Sequence, residues 1–116
     1  MMDIEIPDPI RVQCEGLGGI DGLKKAMMNK KQAQKRGKVL KALADPTRMT
    51  IMDILVKQPL CVCIIKELVN MSDSKLSYHL NILKENGLIK GERQGSWIIY
   101  HPTEKGVAIS DIIGSL

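Results

Sequence analysis

The stretch "MSDSKLSYHLNILKENGLIKGERQGSWIIYHP", residues 71–102, decides the fold. Its first half repeats leucine at Leu76, Leu80 and Leu83, the spacing of one helix face. Ser72 or Asp73 supplies an N-terminal cap and Gly87 a stop, so the spacing predicts a helix from Asp73 to about Asn86. The second half changes period. Leu88 to Arg93 and Trp97 to His101 are rich in β-formers, and Gln94-Gly95-Ser96 between them is a turn signal, which predicts a β-hairpin. Opposite its leucines the helix carries Ser74, Ser77, Tyr78, Asn81 and Glu85, with Lys75 on the flank.

Towards the N-terminus, a short helix is expected from Cys63 to Asn70 with Ile64, Ile65 and Leu68 inward. The helix before it opens on Asp45-Pro46. Asp45 is a good N-cap, and Pro46 suits the first helical position, where its missing N–H costs nothing. That helix runs through Ile51, Met52, Ile54 and Leu55 to about Lys57, is apolar on most sides, and reads as the central buried helix. Earlier still, from about Asp21, Leu23, Met27 and Ala33 give a thin apolar stripe; Gly37 interrupts it, and Val39, Leu40 and Leu43 continue it. After Pro102, Thr103 can cap a last helix carrying Val107, Ile109, Ile112, Ile113 and Leu116, an apolar face large enough to suggest burial against a partner subunit. The order helix, helix, short helix, turn, helix, hairpin, helix predicts a mainly α fold with a small β-hairpin, a winged helix-turn-helix. Residues 1–20, with Pro7, Pro9, Gly16, Gly18 and Gly19, read as a flexible, irregular N-terminal arm; residues 21–116 are expected to form the DNA-binding and dimerisation domain that this architecture implies.

The bulk numbers agree with one small domain: 116 residues, 44% of them hydrophobic. No apolar run approaches the roughly 18 residues of a membrane span, and the N-terminus does not read as a signal peptide. A cytoplasmic location, no membrane partner and no structural disulfide are expected. The net charge is +4, and Lys24, Lys25, Lys30, Lys31, Lys35, Arg36, Lys38 and Lys41 crowd one stretch. They read equally as a solvated helix face or as phosphate contacts.

Short hydroxyls, an amide and a phenol are groups that reach base edges and phosphates in a major groove. They also make an ordinary polar surface. The hairpin, with Lys90 and Arg93 near its tip, tips the reading towards nucleic acid, and Glu92 counts against it. The candidate DNA contacts are Ser74, Lys75, Ser77, Tyr78, Asn81, Lys90 and Arg93. His79, at the edge of the apolar side, reads as a hydrogen-bonded packing residue rather than a ligand. Trp97 is expected to pack the wing onto the core, and His101 is assigned no role.

Four blocks, "LKALADPTRMTIMDIL" (40–55), "LCVCIIKEL" (60–68), "SKLSYHLNILKENGLI" (74–89) and "RQGSWIIYHP" (93–102), resemble in order and spacing the ArsR/SmtB family of winged-helix metalloregulators. The resemblance covers about Val39 to Pro102. It implies a homodimeric repressor, not an enzyme, that binds double-stranded operator DNA without inducer and leaves when a toxic metal or metalloid binds. Thiol-sensing members carry a Leu-Cys-Val-Cys box, here Leu60-Cys61-Val62-Cys63. The flanks depart from the family: Pro59 and Ile64 stand where acidic residues are common, and Lys66 where some arsenic sensors have a third cysteine. The zinc site that other members build between C-terminal helices is expected to be absent, since no histidine follows Asp111.

In a regular helix, residues two apart point about 200° from each other, so Cys61 and Cys63 can share an ion only if Cys61 lies before the helix or its first turn is distorted. A helix start also lowers a thiol pKa towards the thiolate that binds metal. Cys14, in the arm, is the natural third thiolate; the cadmium- and lead-sensing branch brings a pair of cysteines from its arm, and here there is one. Three thiolates suit As(III) or Sb(III) ahead of Pb(II) or Cd(II). Other readings stand beside this one. The cysteines can be packed as small hydrophobes, or serve a redox-sensing repressor of the same fold. A metallochaperone or thiol enzyme fits less well, because Cys-x-x-Cys on a βαβ framework is missing. A winged helix that binds only protein is the last alternative.

Overall fold

The computed structural model describes residues 5–116; the first four residues of the 1–20 arm lie outside the described residues. The chain divides into two compact units, one ending at Gln34 and the other spanning Lys35–Leu116. The first holds α1 (Asp8–Gly16) and α2 (Gly19–Ala26), packed on each other. Residues read as irregular in sequence are here helix punctuation. Pro7 and Pro9 open α1, where proline is tolerated, and Gly18 and Gly19 make the link between the helices at positive φ. The division at 34/35 differs from the expected 20/21. Helix α3 (Lys30–Leu43) starts at a capping box: Gln32 N donates to Asn29 Oδ1 at 2.8 Å and Asn29 N to Gln32 Oε1 at 3.2 Å. Gly37 stays within the helix rather than interrupting it.

The second unit is built on α4 (Pro46–Lys57), which packs against α5 (Val62–Val69), α6 (Asp73–Glu85), β3 (Trp97–Pro102) and α7 (Glu104–Gly114). Ile51, Met52 and Leu55 of α4 are fully buried, as expected of a helix apolar on most sides. Asp45 caps it, accepting from Arg48 N at 3.0 Å. That backbone N–H, helped by the Arg48 charge, holds the Asp45 carboxyl below the usual carboxylate range. Helix α5 turns inward with Ile65, Val62 and Val69, and leaves Ile64 and Leu68 exposed. The expected inward trio is therefore corrected: positions 62, 65 and 69 lie on one face, and 64 and 68 lie beside it.

Helix α6 keeps the sequence signals at both ends. Ser72 Oγ accepts from Lys75 N. At the other end Leu88 N donates to Leu83 O and Gly87 N to Lys84 O, both at 3.0 Å, with Gly87 at φ 69°, which is a Schellman stop. The chain then enters β2 (Ile89–Gln94) and returns along β3. The expected two-stranded hairpin is a three-stranded antiparallel sheet, order β1-β3-β2. Its third strand, β1 (Leu60–Cys61), pairs Leu60 with Tyr100 and Cys61 with Ile99; two residues are too few to show a period in sequence. Thr103 caps α7, accepting from Gly106 N at 3.0 Å. Ile109 and Ile113 pack on the core, while Ile112 and Leu116 are exposed. Among the described residues no helix is long and apolar enough to cross a membrane.

Gly106 lets α7 lie against the loop after α6: a Cβ there would run into the Leu88 carbonyl and come within 2.9 Å of Met52 Cε. Gly37, by contrast, faces open space. Alanine at either site gains about 1 kcal/mol of helix propensity, but at 106 overpacking against backbone costs about 1–3 kcal/mol. Gly106→Ala should lower the urea midpoint and Gly37→Ala should raise it; equal shifts would show that α7 does not depend on this approach.

Candidate nucleic-acid interface and thiol site

Leu76, Leu80 and Leu83 are buried, which fixes the rotation of α6 and turns Ser74, Lys75, Ser77, Tyr78 and Asn81 all to the surface. A second restraint comes from α4. Arg48 Nη1 donates to His79 Nδ1 at 3.0 Å, and its Nε donates to the Ala42 carbonyl. Asp45 Oδ2 stands 4.0 Å from the same imidazole nitrogen. His79 is thus a hydrogen-bonded packing residue, and Tyr78 stands edge-on beside it with ring centroids 5.4 Å apart.

On the wing, Lys90 and Arg93 are both exposed on β2. They are three residues apart, so they project from opposite faces of the ribbon. Only Arg93 is near the tip; Lys90, paired with His101, is near the base, which corrects the expectation that both crown the hairpin. Glu92 Oε2 lies 3.2 Å from His101 Nε2, giving the wing carboxylate a neighbour of its own.

The two cysteines meet. Cys61 ends β1 in extended conformation (φ −76°, ψ 158°) and is the N-cap residue of α5. Cys63 lies in the first helical turn. That offset cancels the divergence a regular helix would impose, and the sulfurs lie 2.7 Å apart, both reduced. The hydrogen-bonded contact with the Cys63 thiol, with the Ile64 N–H helping, holds Cys61 below the ordinary thiol range. Cys63 is pushed up, because ionising it would break that bond and set a second negative charge beside the first. Cys14 lies on α1 in the other unit, half-buried and also free. Among the described residues no group of three or more His, Cys, Asp and Glu side chains is placed to hold a metal ion.

The thiols open onto a cavity of about 430 Å³ lined also by Lys66, Asp73, Trp97 and Ile98. Trp97 is 58% exposed, whereas Tyr100 is 8% exposed. The expectation that Trp97 packs the wing onto the core is therefore wrong: Tyr100 does so, and strand alternation sends Trp97 to the other face. Lys66 Nζ meets Asp73 Oδ1 at 2.8 Å, joining α5 to the first turn of α6 at the cavity wall. Trp97, Lys66 and Asp73 were missed as site residues. The odd–even alternation against Tyr100 was the available signal for Trp97; nothing local announced the ion pair.

Residues 45–90, from the α4 cap into β2, match the family described as "Bacterial regulatory protein, arsR family". An uncharacterised helix-turn-helix transcriptional regulator of Methanocaldococcus jannaschii is 36% identical over 69 residues, which cover 59% of this chain and 78% of that one. The arsenical resistance operon repressor of Bacillus subtilis is 41% identical over 68 residues, 58% of this chain and 65% of the repressor. Among solved structures, a homodimeric winged helix-turn-helix DNA-binding domain, Mb0332 of Mycobacterium bovis, superposes with a TM-score of 0.69 at 26% identity, covering 77% of this chain and 85% of that domain. Sequence blocks, buried leucines, three-stranded wing and relatives converge: the chain belongs to the ArsR family of bacterial regulatory proteins, winged-helix transcriptional regulators and not enzymes.

Proposed function

We propose that this regulator represses transcription by binding double-stranded operator DNA as a homodimer, and that it is released when a thiophilic ion takes the Cys61 and Cys63 thiolates. As(III) or Sb(III) is favoured over Pb(II) or Cd(II). The observation that carries the reading is the 2.7 Å approach of two free sulfurs at the start of α5, with one of them biased towards thiolate. The arsenical repressor among the relatives supports the choice of ion. Soft sulfur donors fit a soft ion. The thiol pair is one donor short of a three-thiolate site, and Cys14, from its own or a partner subunit, is the proposed third.

Ser74, Lys75, Ser77, Tyr78 and Asn81 would enter the major groove, with Arg93 and Lys90 on flanking phosphates. The thiols have two routes to that surface. Cys61 pairs with Ile99 of β3, and β3 pairs along its length with β2, which carries Lys90 and Arg93. Through α5, Lys66 grips Asp73 at the N-terminus of α6. A ligand held by the two cysteines can therefore disfavour the DNA-competent arrangement of wing and α6 together. By linkage, operator DNA must then weaken the ligand by the same factor.

Binding to the gene's own upstream region, read by fluorescence anisotropy, tests the reading surface. Ser77→Ala and Tyr78→Ala should cost about 1–3 kcal/mol on the operator and less on scrambled sequence. Equal losses on both would remove these residues from base readout, and failure to bind any DNA at low salt would overturn the proposal.

The sensing role is checked with arsenite, cadmium and an oxidant as separate arms. Cys61→Ser and Cys63→Ser should bind DNA like the parent yet ignore arsenite. Cys14→Ser should lower ion affinity and remove one sulfur from the X-ray absorption shell. Release by peroxide but not by arsenite would make the thiols a redox sensor.

The thiol pair also has a pH signature. Cys61 should alkylate with iodoacetamide at a pH below the ordinary thiol value of about 8.5, and Cys63 only above it. Cys63→Ala removes the partner thiol and should move the Cys61 profile back up. Two thiols with one shared profile would contradict the hydrogen bond.

A further inference from the structure

The lysine-rich stretch left two readings open, and the structure separates two of its members from the rest. Lys38 and Lys41 of α3 edge a cleft of about 200 Å³ whose other wall is Tyr78, Ile82 and Glu85 of α6, with Arg48 between the helices. We propose that this cleft takes a phosphate of the DNA backbone, as a site beside the α6 reading face, held by Lys38, Lys41 and the Arg48 guanidinium.

Three observations carry it. First, Tyr78 belongs to both surfaces: it lines the cleft and is 61% exposed on the reading face, so a duplex lying on α6 reaches the cleft mouth. Second, the Arg48 cation is fixed before any ligand arrives. Two of its five N–H donors are occupied, one by Ala42 O and one by His79 Nδ1, and the rest remain for an anion. Because His79 adjoins Tyr78 in sequence and holds Arg48, the guanidinium lies at the Tyr78 end. Glu85 lies about 10 Å further along α6, which confines an anion to that end. Third, α3 places its lysines away from its exposed apolar side. Val39, Ala42 and Leu43 are buried, Lys38 and Lys41 fall on one flank, and Leu40, 60% exposed, lies about 160° around the axis from Lys38. The lysine flank is thereby free for DNA when the Leu40 flank is covered. Neither lysine forms a salt bridge among the described residues.

The inference rests on the DNA-binding reading of the previous section, and the experiment separates the two. Full-length Lys38→Gln/Lys41→Gln is compared with Lys57→Gln, which removes charge away from the cleft, by anisotropy on the upstream fragment and on scrambled DNA across a KCl series. The cleft variant should show a slope of log K against log salt shallower by about 1 per lysine, with equal weakening on both sequences, while the control keeps a slope near the parent's. Lysine acetylation read by mass spectrometry should show DNA protecting Lys38 and Lys41 but not Lys57. A cleft variant with the control's slope, or lysines that DNA leaves unprotected, overturns the phosphate site while the DNA-binding reading stands. A parent protein that binds no DNA overturns both.

Discussion

The guanidinium of Arg48 joins three helices. It donates to the Ala42 carbonyl near the C-terminus of α3, it belongs to the turn that Asp45 caps at the start of α4, and it reaches His79 on α6. A helix C-terminus leaves carbonyls without partners inside the helix, and one side chain here fills that need while setting the rotation of α6, which carries the proposed reading face. The leucines of α6 supply most of the packing energy, but burial is non-directional; the hydrogen bond to His79 adds direction. Replacing Arg48 by lysine would keep the charge and lose the fork.

The wing depends on a different constraint. Tyr100 is buried on the core, and β3 runs between β1 and β2. The central strand therefore takes hydrogen bonds from both sides, one from the strand that carries Cys61 and the other from the strand that carries Lys90 and Arg93. Chemistry at Cys61 and position at Arg93 are two ends of one short sheet. The Lys66–Asp73 pair offers a parallel link, weaker because both side chains are well exposed to solvent.

Most of the fold was legible in the sequence, because its signals are local: Asp45, Ser72 and Thr103 cap the helices that they announce, Gly87 ends α6, and the leucine period marks the buried face. Elements without a local signal were not. A two-residue strand has no period, so β1 emerges only from its pairing with β3. The Asn29-x-x-Gln32 capping box is a local signal that the apolar stripe running across it hides. In the arm, proline and glycine are ambiguous, because they mark irregular chain and also serve at helix ends, as they do here. At the site, the meeting of Cys61 and Cys63 followed from helix geometry once Cys61 was set before the helix. The Arg48–His79 and Lys66–Asp73 contacts join residues that only the tertiary fold brings together.

The brevity of β1 limits the coupling that this strand can carry from Cys61 to the wing. Only two residue pairs tie it to β3, and each hydrogen bond there contributes about 0.5–1.5 kcal/mol net. A ligand acting through this strand can transmit no more free energy than the strand's attachment holds, on the order of 1–3 kcal/mol. Under the proposed function, that corresponds to a change of about 5- to 150-fold in operator affinity. A longer strand would widen the range and also raise the inducer concentration at which the gene responds. Under the proposed function, a two-residue β1 sets a lower inducer threshold and a narrower range than a longer strand would.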